Sequence, residues 1–209
     1  MKKQQWMALL AFAAALVVVA GGLYASNMGF KLNYPLLGPG APATGTNTLS
    51  LPFNRQAGIN NVKALGDDVG GFQALNGGPV LNIQKLDTLT NSFQAYSGVV
   101  GEAAFPLATG EGYFINVNTA VDYIVVGSHA PAATINLIGT GDPACTPPCA
   151  GVNLYAYPYH STASDVKDLG DELGGFFALN SGPVNNIQRY DAATNTFQAY
   201  SGVVGEPLF

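Results

Sequence analysis

Apolar side chains recur at three- and four-residue spacing in two short stretches of this sequence, Val62–Leu65–Val69 and Val166–Leu169–Leu173. That period writes one buried stripe on a short helix. Gly70 and Gly174 follow and can end each helix in the left-handed conformation, while Ser161, Thr162 and Ser164 are candidate caps for the second. The pattern then shifts to strand-like runs, LNIQKL and SFQAYS around DTLTN, and NIQRY and TFQAYS around DAATN. Asp, Thr and Asn side chains bond the local backbone, so each connection predicts a polar turn and each pair of runs a hairpin. Phe114, Val117 and Tyr123 to Val126 mark two further strands after the first hairpin, with Gly110 and Gly112 allowing a bulge or close backbone approach.

These two series are copies of one another. Residues 59–105 and 163–209 align at a constant offset of 104, from VKALGDDVGGFQALNGGPV against VKDLGDELGGFFALNSGPV through to SGVVGEAAF against SGVVGEPLF. A missed repeat misreads the whole fold, so this alignment sets the frame. Upstream, LSLPFN (49–54) pairs with YAYPYH (155–160) and, more loosely, FKLNYPLL (30–37) with ATINLIGT (133–140), each predicting a strand at the head of its copy. The expected architecture is mainly β with minor α: two tandem antiparallel, sandwich-like modules, each with one short helix, at 26–132 and 133–209. No counterpart of residues 106–129 follows in the second copy, whose last strands are therefore expected to be lacking. Two readings stay open, a truncated fragment, which is favoured, or an exposed edge completed by strand addition from a partner.

The N-terminus changes the expected compartment. Met1, Lys2 and Lys3 precede an uncharged apolar run from Met7 to Tyr24, the charged and hydrophobic regions of a secretory signal. Residues 1–25 read as a signal peptide cleaved within 20–25, after Gly22 or Ala25. The alternative is an uncleaved leader, the only route by which this chain would engage a membrane. The expected location is secreted, extracellular or cell-surface, with the periplasm as a variant. Cleavage removes two of the eight basic residues and no acidic one, taking the net charge from −5 to about −7. An acidic surface without a Lys/Arg cluster excludes nucleic-acid binding. In an oxidising compartment Cys145 and Cys149 predict a small local disulfide, confined to one copy and so outside any shared site.

The Leu51-Pro52-Phe53 strand end, the T-N-x-F-x-x-Y hairpin, the segment Gly110-Glu111-Gly112-Tyr113-Phe114 and the closing Gly127-Ser128-His129 resemble tandem-repeat bacterial exported or surface modules of uncharacterised function. The resemblance covers both copies and carries over no catalytic residue. NIQRYDAATNTFQAYS also looks like a kelch strand pair, but a propeller needs about four blades of about 50 residues and the period here is 104.

Candidate chemistry is sparse. His129 and His160 each adjoin a serine, with Asp122 and Asp165 nearby, but no G-x-S-x-G elbow accompanies them, and they read as turn or surface histidines. Asp67/Asp68 and Asp171/Glu172 recur without the D-x-D-x-D-G spacing of a calcium loop and read as solvated acidic turns. Gly110-x-Gly112 lacks the third glycine and following helix of a dinucleotide loop. No catalytic, metal or cofactor-binding residue is assigned, and no cofactor is expected. Tyr155, Tyr157 and Tyr159 alternate so as to share one strand face and are the candidate ligand-facing aromatics, with cross-strand packing as the competing reading. The expected function is a non-catalytic structural, surface or adhesive role. A polysaccharide- or cell-wall-binding module is the alternative, and a hydrolase with an unrecognised site comes third.

Overall fold

The computed structural model describes residues 30–51, 54–55, 58–128, 134–145, 150–157 and 161–209, with Phe30, Asn54 and Arg55 as backbone alone. Strands β1 (Phe30–Leu36), β2 (Pro39–Gly40), β3 (Ala43–Thr44), β4 (Thr46–Ser50) and β5 (Asn54–Arg55) lead into helices α1 (Val62–Val69) and α2 (Gln73–Asn76). Strands β6 (Val80–Asp87), β7 (Ser92–Tyr96), β8 (Gly112–Val117) and β9 (Val121–Ser128) complete the first module. The second contributes helices α3 (Val166–Glu172) and α4 (Phe177–Asn180) and strands β10 (Ile187–Asp191) and β11 (Thr196–Tyr200). The protein is mainly β, with antiparallel sheets ordered β1-β9-β5 and β4-β8-β6-β7 in module one and β10-β11 in module two.

Module one closes because strand period two and helix period 3.6 point at the same interior. Along β8, Tyr113, Ile115 and Val117 are buried while Phe114 and Asn116 face outward, and along β9 Tyr123 and Val125 alternate with exposed Asp122, Ile124 and Val126. Leu36, Leu49, Ile83, Tyr96 and Phe105 join these residues and the α1 stripe Val62, Leu65 and Val69 in one cluster spanning both sheets. Each fully buried aliphatic side chain of this kind contributes about 2 kcal/mol by apolar burial. β8 is the central contributor: it pairs with β4 through Leu49↔Tyr113 and with β6 through Ile83↔Ile115 and Gln84↔Phe114.

Local chemistry fixes the helix ends differently from expectation. Asp165, in extended conformation directly before Val166, caps α3 by accepting from the Lys167 and Asp168 amides, both at 2.9 Å. Asn61 does the same for α1 through the Ala64 amide at 2.9 Å. Ser161, Thr162 and Ser164 lie too far upstream to cap; Ser164 instead donates to Asp168. Each module also carries a second helix of one turn, α2 or α4, that the apolar period could not reveal because none of its four residues is buried.

The expected strand over 133–140 does not form: residues 134–139 are irregular. A subtler repeat survives there. Buried Asn47 accepts from the Leu37 amide at 2.7 Å and donates to the Leu37 and Gly45 carbonyls. Asn153 repeats all three bonds with Ile138 and Gly151, at 2.8, 3.1 and 3.2 Å. The intervening loop therefore has the same clamped base in both modules, whatever its interior carries.

Candidate functional site

The repeated skeleton makes the same ring, glycine and glutamate contacts in both modules. Phe72 and Tyr96 meet edge-to-face at 5.0 Å and 82°, and Phe176 and Tyr200 at 5.0 Å and 83°. Gly66 and Gly170 let these phenylalanines rest on the helix, since an added Cβ would lie 2.0 and 1.9 Å from the ring. Glu102 accepts from the Ser97 amide and hydroxyl at 2.7 and 2.8 Å, as Glu206 does from Ser201. Hydrogen bonding to the charged form holds both carboxyls below the ordinary glutamate value.

Above this skeleton the modules part. Leu65, Val80, Ile83 and Phe105 are buried in the core that β8 helps to build, whereas their counterparts Leu169, Val184, Ile187 and Phe209 are only half-buried. A cavity of about 530 Å³ opens over Leu169, Ile187 and Phe209, and is lined also by Val166, Gln188 and Arg189. Tyr155 and Tyr157 form another wall, and module one closes the far side with Tyr34, Thr48 and Phe114. The cavity thus lies between β10, the counterpart of β6, and the Tyr155–Tyr157 segment, the counterpart of β4. Those are the two strands that flank β8 in module one.

Module two is anchored to module one by backbone and by rings. Gly112 N–H donates to the Leu154 carbonyl at 3.1 Å and Ala156 N–H to the Gly110 carbonyl at 2.8 Å, with an antiparallel bridge between Glu111 and Tyr155. The close approach expected of Gly110 and Gly112 is made here. Gly110 has φ +89 and a Cβ on it would lie 2.6 Å from Ile135, while one on Gly112 would lie 3.0 Å from Leu154. On the outer sheet face Phe114 packs edge-to-face on Tyr190 at 5.7 Å and on Phe197 at 6.3 Å.

The polar groups around the cavity are mostly committed to structure. The Asp165 carboxylate caps α3, the Tyr157 hydroxyl donates to the Ala163 carbonyl at 2.6 Å, and the Arg189 guanidinium lies 4.9 Å over the Phe209 ring while donating to Gln198. The exception is Tyr155, whose hydroxyl is the one buried side-chain polar atom among the described residues with no hydrogen-bond partner. Burial, followed by the nearby Tyr157 and Glu172 charges, pushes it up to about 12.

Of the sequence candidates, Tyr155 and Tyr157 both line the cavity, while Tyr159 lies outside the described residues. His129, His160 and Cys149 also lie outside them, so the triad-like pairs and the Cys145–Cys149 bridge are not described. The recurrent acidic pairs agree in their first member and differ in their second. Asp67 and Asp171 each hold a lysine of their own helix at 2.6 Å, Asp68 accepts from the Tyr123 hydroxyl at 2.9 Å, and Glu172 accepts from Ser161 at 2.6 Å. Among the described residues no three His, Cys, Asp or Glu side chains converge on a metal position, and no helix is long and apolar enough to cross a membrane. Leu154, Arg189 and Phe209 also line the cavity, and of these Phe209 carries a sequence signal, its alignment with Phe105 in the repeat. No family model, curated protein or solved structure matches this chain.

Proposed function

We propose that this chain is a non-catalytic exported protein, a pair of β modules serving a structural or adhesive role at the cell surface. The observation that carries the reading is that three pairs of polar residues recurring between the modules do the same structural work in each. Asn61 and Asp165 cap helices, Asn47 and Asn153 clamp loop bases, and Glu102 and Glu206 hold loop amides. Duplication has thus copied packing devices in place of a reactive cluster. The signal-like leader and the Cys145–Cys149 bridge expected in an oxidising compartment belong to the same reading. Expression with the leader intact, followed by fractionation and surface proteolysis, should place the chain outside the cytoplasm, and a hydrolase panel should show no turnover. Turnover abolished by His129→Ala or His160→Ala would overturn it.

A second reading, a polysaccharide- or cell-wall-binding module, is favoured by the tyrosine-walled cavity alone. Its volume falls in the range of ligand sites, and Gln188 and Arg189 add polar groups to its lining. Retention on a glycan array that is lost in Tyr157→Ala would establish it in place of the first.

A further inference from the structure

We propose that the Val99–Val100 and Val203–Val204 loop tips are lipid-contacting fingers that dip into the interface of an uncharged lipid layer. Val100 and Val204 are 94% and 95% exposed, and Val99 and Val203 are 53% exposed each. Side chains so far from any neighbour add nothing to a core, so folding gives no reason for two consecutive valines there. Both modules nonetheless carry the same S-G-V-V-G-E loop, while exposed counterparts elsewhere differ: Gln73 with Phe177, Leu89 with Ala193 and Ala104 with Leu208. In module one the tip stands clear although β8 and β9 follow it and pack into the core of the same module. Its exposure is thus a property of the closed module.

Each tip is held in one shape and much of its backbone is already satisfied. Glu102 N–H donates to the Val99 carbonyl at 3.1 Å around Gly101 at φ +97, and Glu206 N–H to the Val203 carbonyl at 3.3 Å around Gly205 at φ +98, turns that require glycine at their third position. The Glu102 carboxylate accepts from the Ser97 and Val99 amides at 2.7 and 3.2 Å, as Glu206 does from Ser201 and Val203. Backbone groups taken out of water must be bonded within the protein, and these are. The size of the tip selects the occupant. Leu75 and Leu179 lie beside Gly98 and Gly202 and widen each tip, but three side chains fall well short of the about 800 Å² per partner that a stable protein interface buries. A lipid layer asks for no matching surface, and binding to it grows with the apolar area inserted. The chain's net charge of −5 selects an uncharged headgroup over an anionic one. This contact is separate from the apolar leader, and it goes beyond the structural or adhesive reading without depending on it.

The probe is a vesicle of phosphatidylcholine, titrated into the full chain carrying an environment-sensitive fluorophore on Ala103→Cys, beside the first tip. The same label on Thr90→Cys, in the turn at the other end of β7, is the control. A blue shift is expected at position 103 and none at position 90. Val100→Asp should weaken the interaction about tenfold. Val100→Asp combined with Val204→Asp should abolish the shift while the urea midpoint stays unchanged, because neither valine contributes to a core. Replacing half of the lipid with phosphatidylglycerol should weaken binding, since the acidic chain is repelled. An equal shift at position 90, a shift that survives the double variant, or a requirement for phosphatidylglycerol would each overturn the proposal. So would the absence of any shift, which would leave a concave pocket on a partner protein as the occupant.

Discussion

Helices α1 and α3 carry the same apolar stripe and the same glycine beneath the same phenylalanine, yet Leu65 is sealed from solvent and Leu169 is not. The half-module of helix, one-turn helix, hairpin and glutamate-held loop reproduces its ring geometry to within a degree in both places. That unit is therefore locally determined, by caps, close glycine contacts and one aromatic pair. What differs is the layer laid over it. In module one β8 and β9 supply Tyr113, Ile115, Val117, Tyr123 and Val125 to the core; in module two a cavity and the flank of module one stand over the counterpart surface. The difference separates what makes the unit form from what makes it stable.

The strongest way to sharpen this contrast is to truncate the same residue in both modules. Ile83→Ala removes a side chain with no exposure and is expected to cost about 3 kcal/mol, while Ile187→Ala, at a half-buried site, should cost about 1 kcal/mol. Urea unfolding followed by exchange in each module measures the gap, and equal losses would show that module two is as fully packed as module one. The next effect should be symmetric. Gly66→Ala and Gly170→Ala ordinarily favour a helix, but here the new methyl meets a phenylalanine ring, and each should destabilise its module by about 2 kcal/mol. A stabilised variant in either module would break the claim that the skeleton is shared.

The smallest effect concerns pH. The Glu102 and Glu206 carboxyls are lowered from the ordinary value, first by the backbone amides of Ser97 and Ser201 and then by the serine hydroxyls. A depressed carboxylate contributes stability that is present above the unfolded value of about 4.5 and is lost as the pH falls through the lowered folded one. Protection of the Ser97, Val99, Ser201 and Val203 amides, measured against their intrinsic exchange rates, should therefore fall in parallel as the pH drops below the ordinary glutamate value. Glu102→Gln or Glu206→Gln should remove the pH step from its own loop alone. Steps at clearly different pH would mean that the two loops are not equivalent.

Much of this was legible in residue order because it depends on side chains close in sequence. The stripe on α1, the turns after Asp87 and Asp191 and the 104-residue offset are all of that kind. Asp87 and Asp191 accept from amides two and three residues on, as turn chemistry requires. The caps were missed by a small margin because Ser, Thr, Asn and Asp all serve, and only the first helical dihedrals choose among them. The clamp of Asn153 on Ile138 was hidden because loops of different length intervene between it and its partner in the two modules. The sequence also implied an alternating tyrosine strand over residues 155–159, but the described part forms only the single bridge of Tyr155 with Glu111.

Residue order by itself determined two copies of one helix-and-hairpin unit, the strands β8 and β9 that follow the first copy, and a chain of acidic surface with a leader-like start. Only the tertiary structure decided that Leu154 and Ala156 bond along the Gly110–Gly112 backbone, that Phe114 packs on the rings of Tyr190 and Phe197, and that a tyrosine-walled cavity lies where the modules meet. The physical reason is that ladder bonds are made by N–H and C=O groups common to nearly every residue, so the choice of partner strand leaves little trace in side-chain identity. Helix stripes and turn-forming residues are written in the side chains themselves, and could be read before the chain was folded.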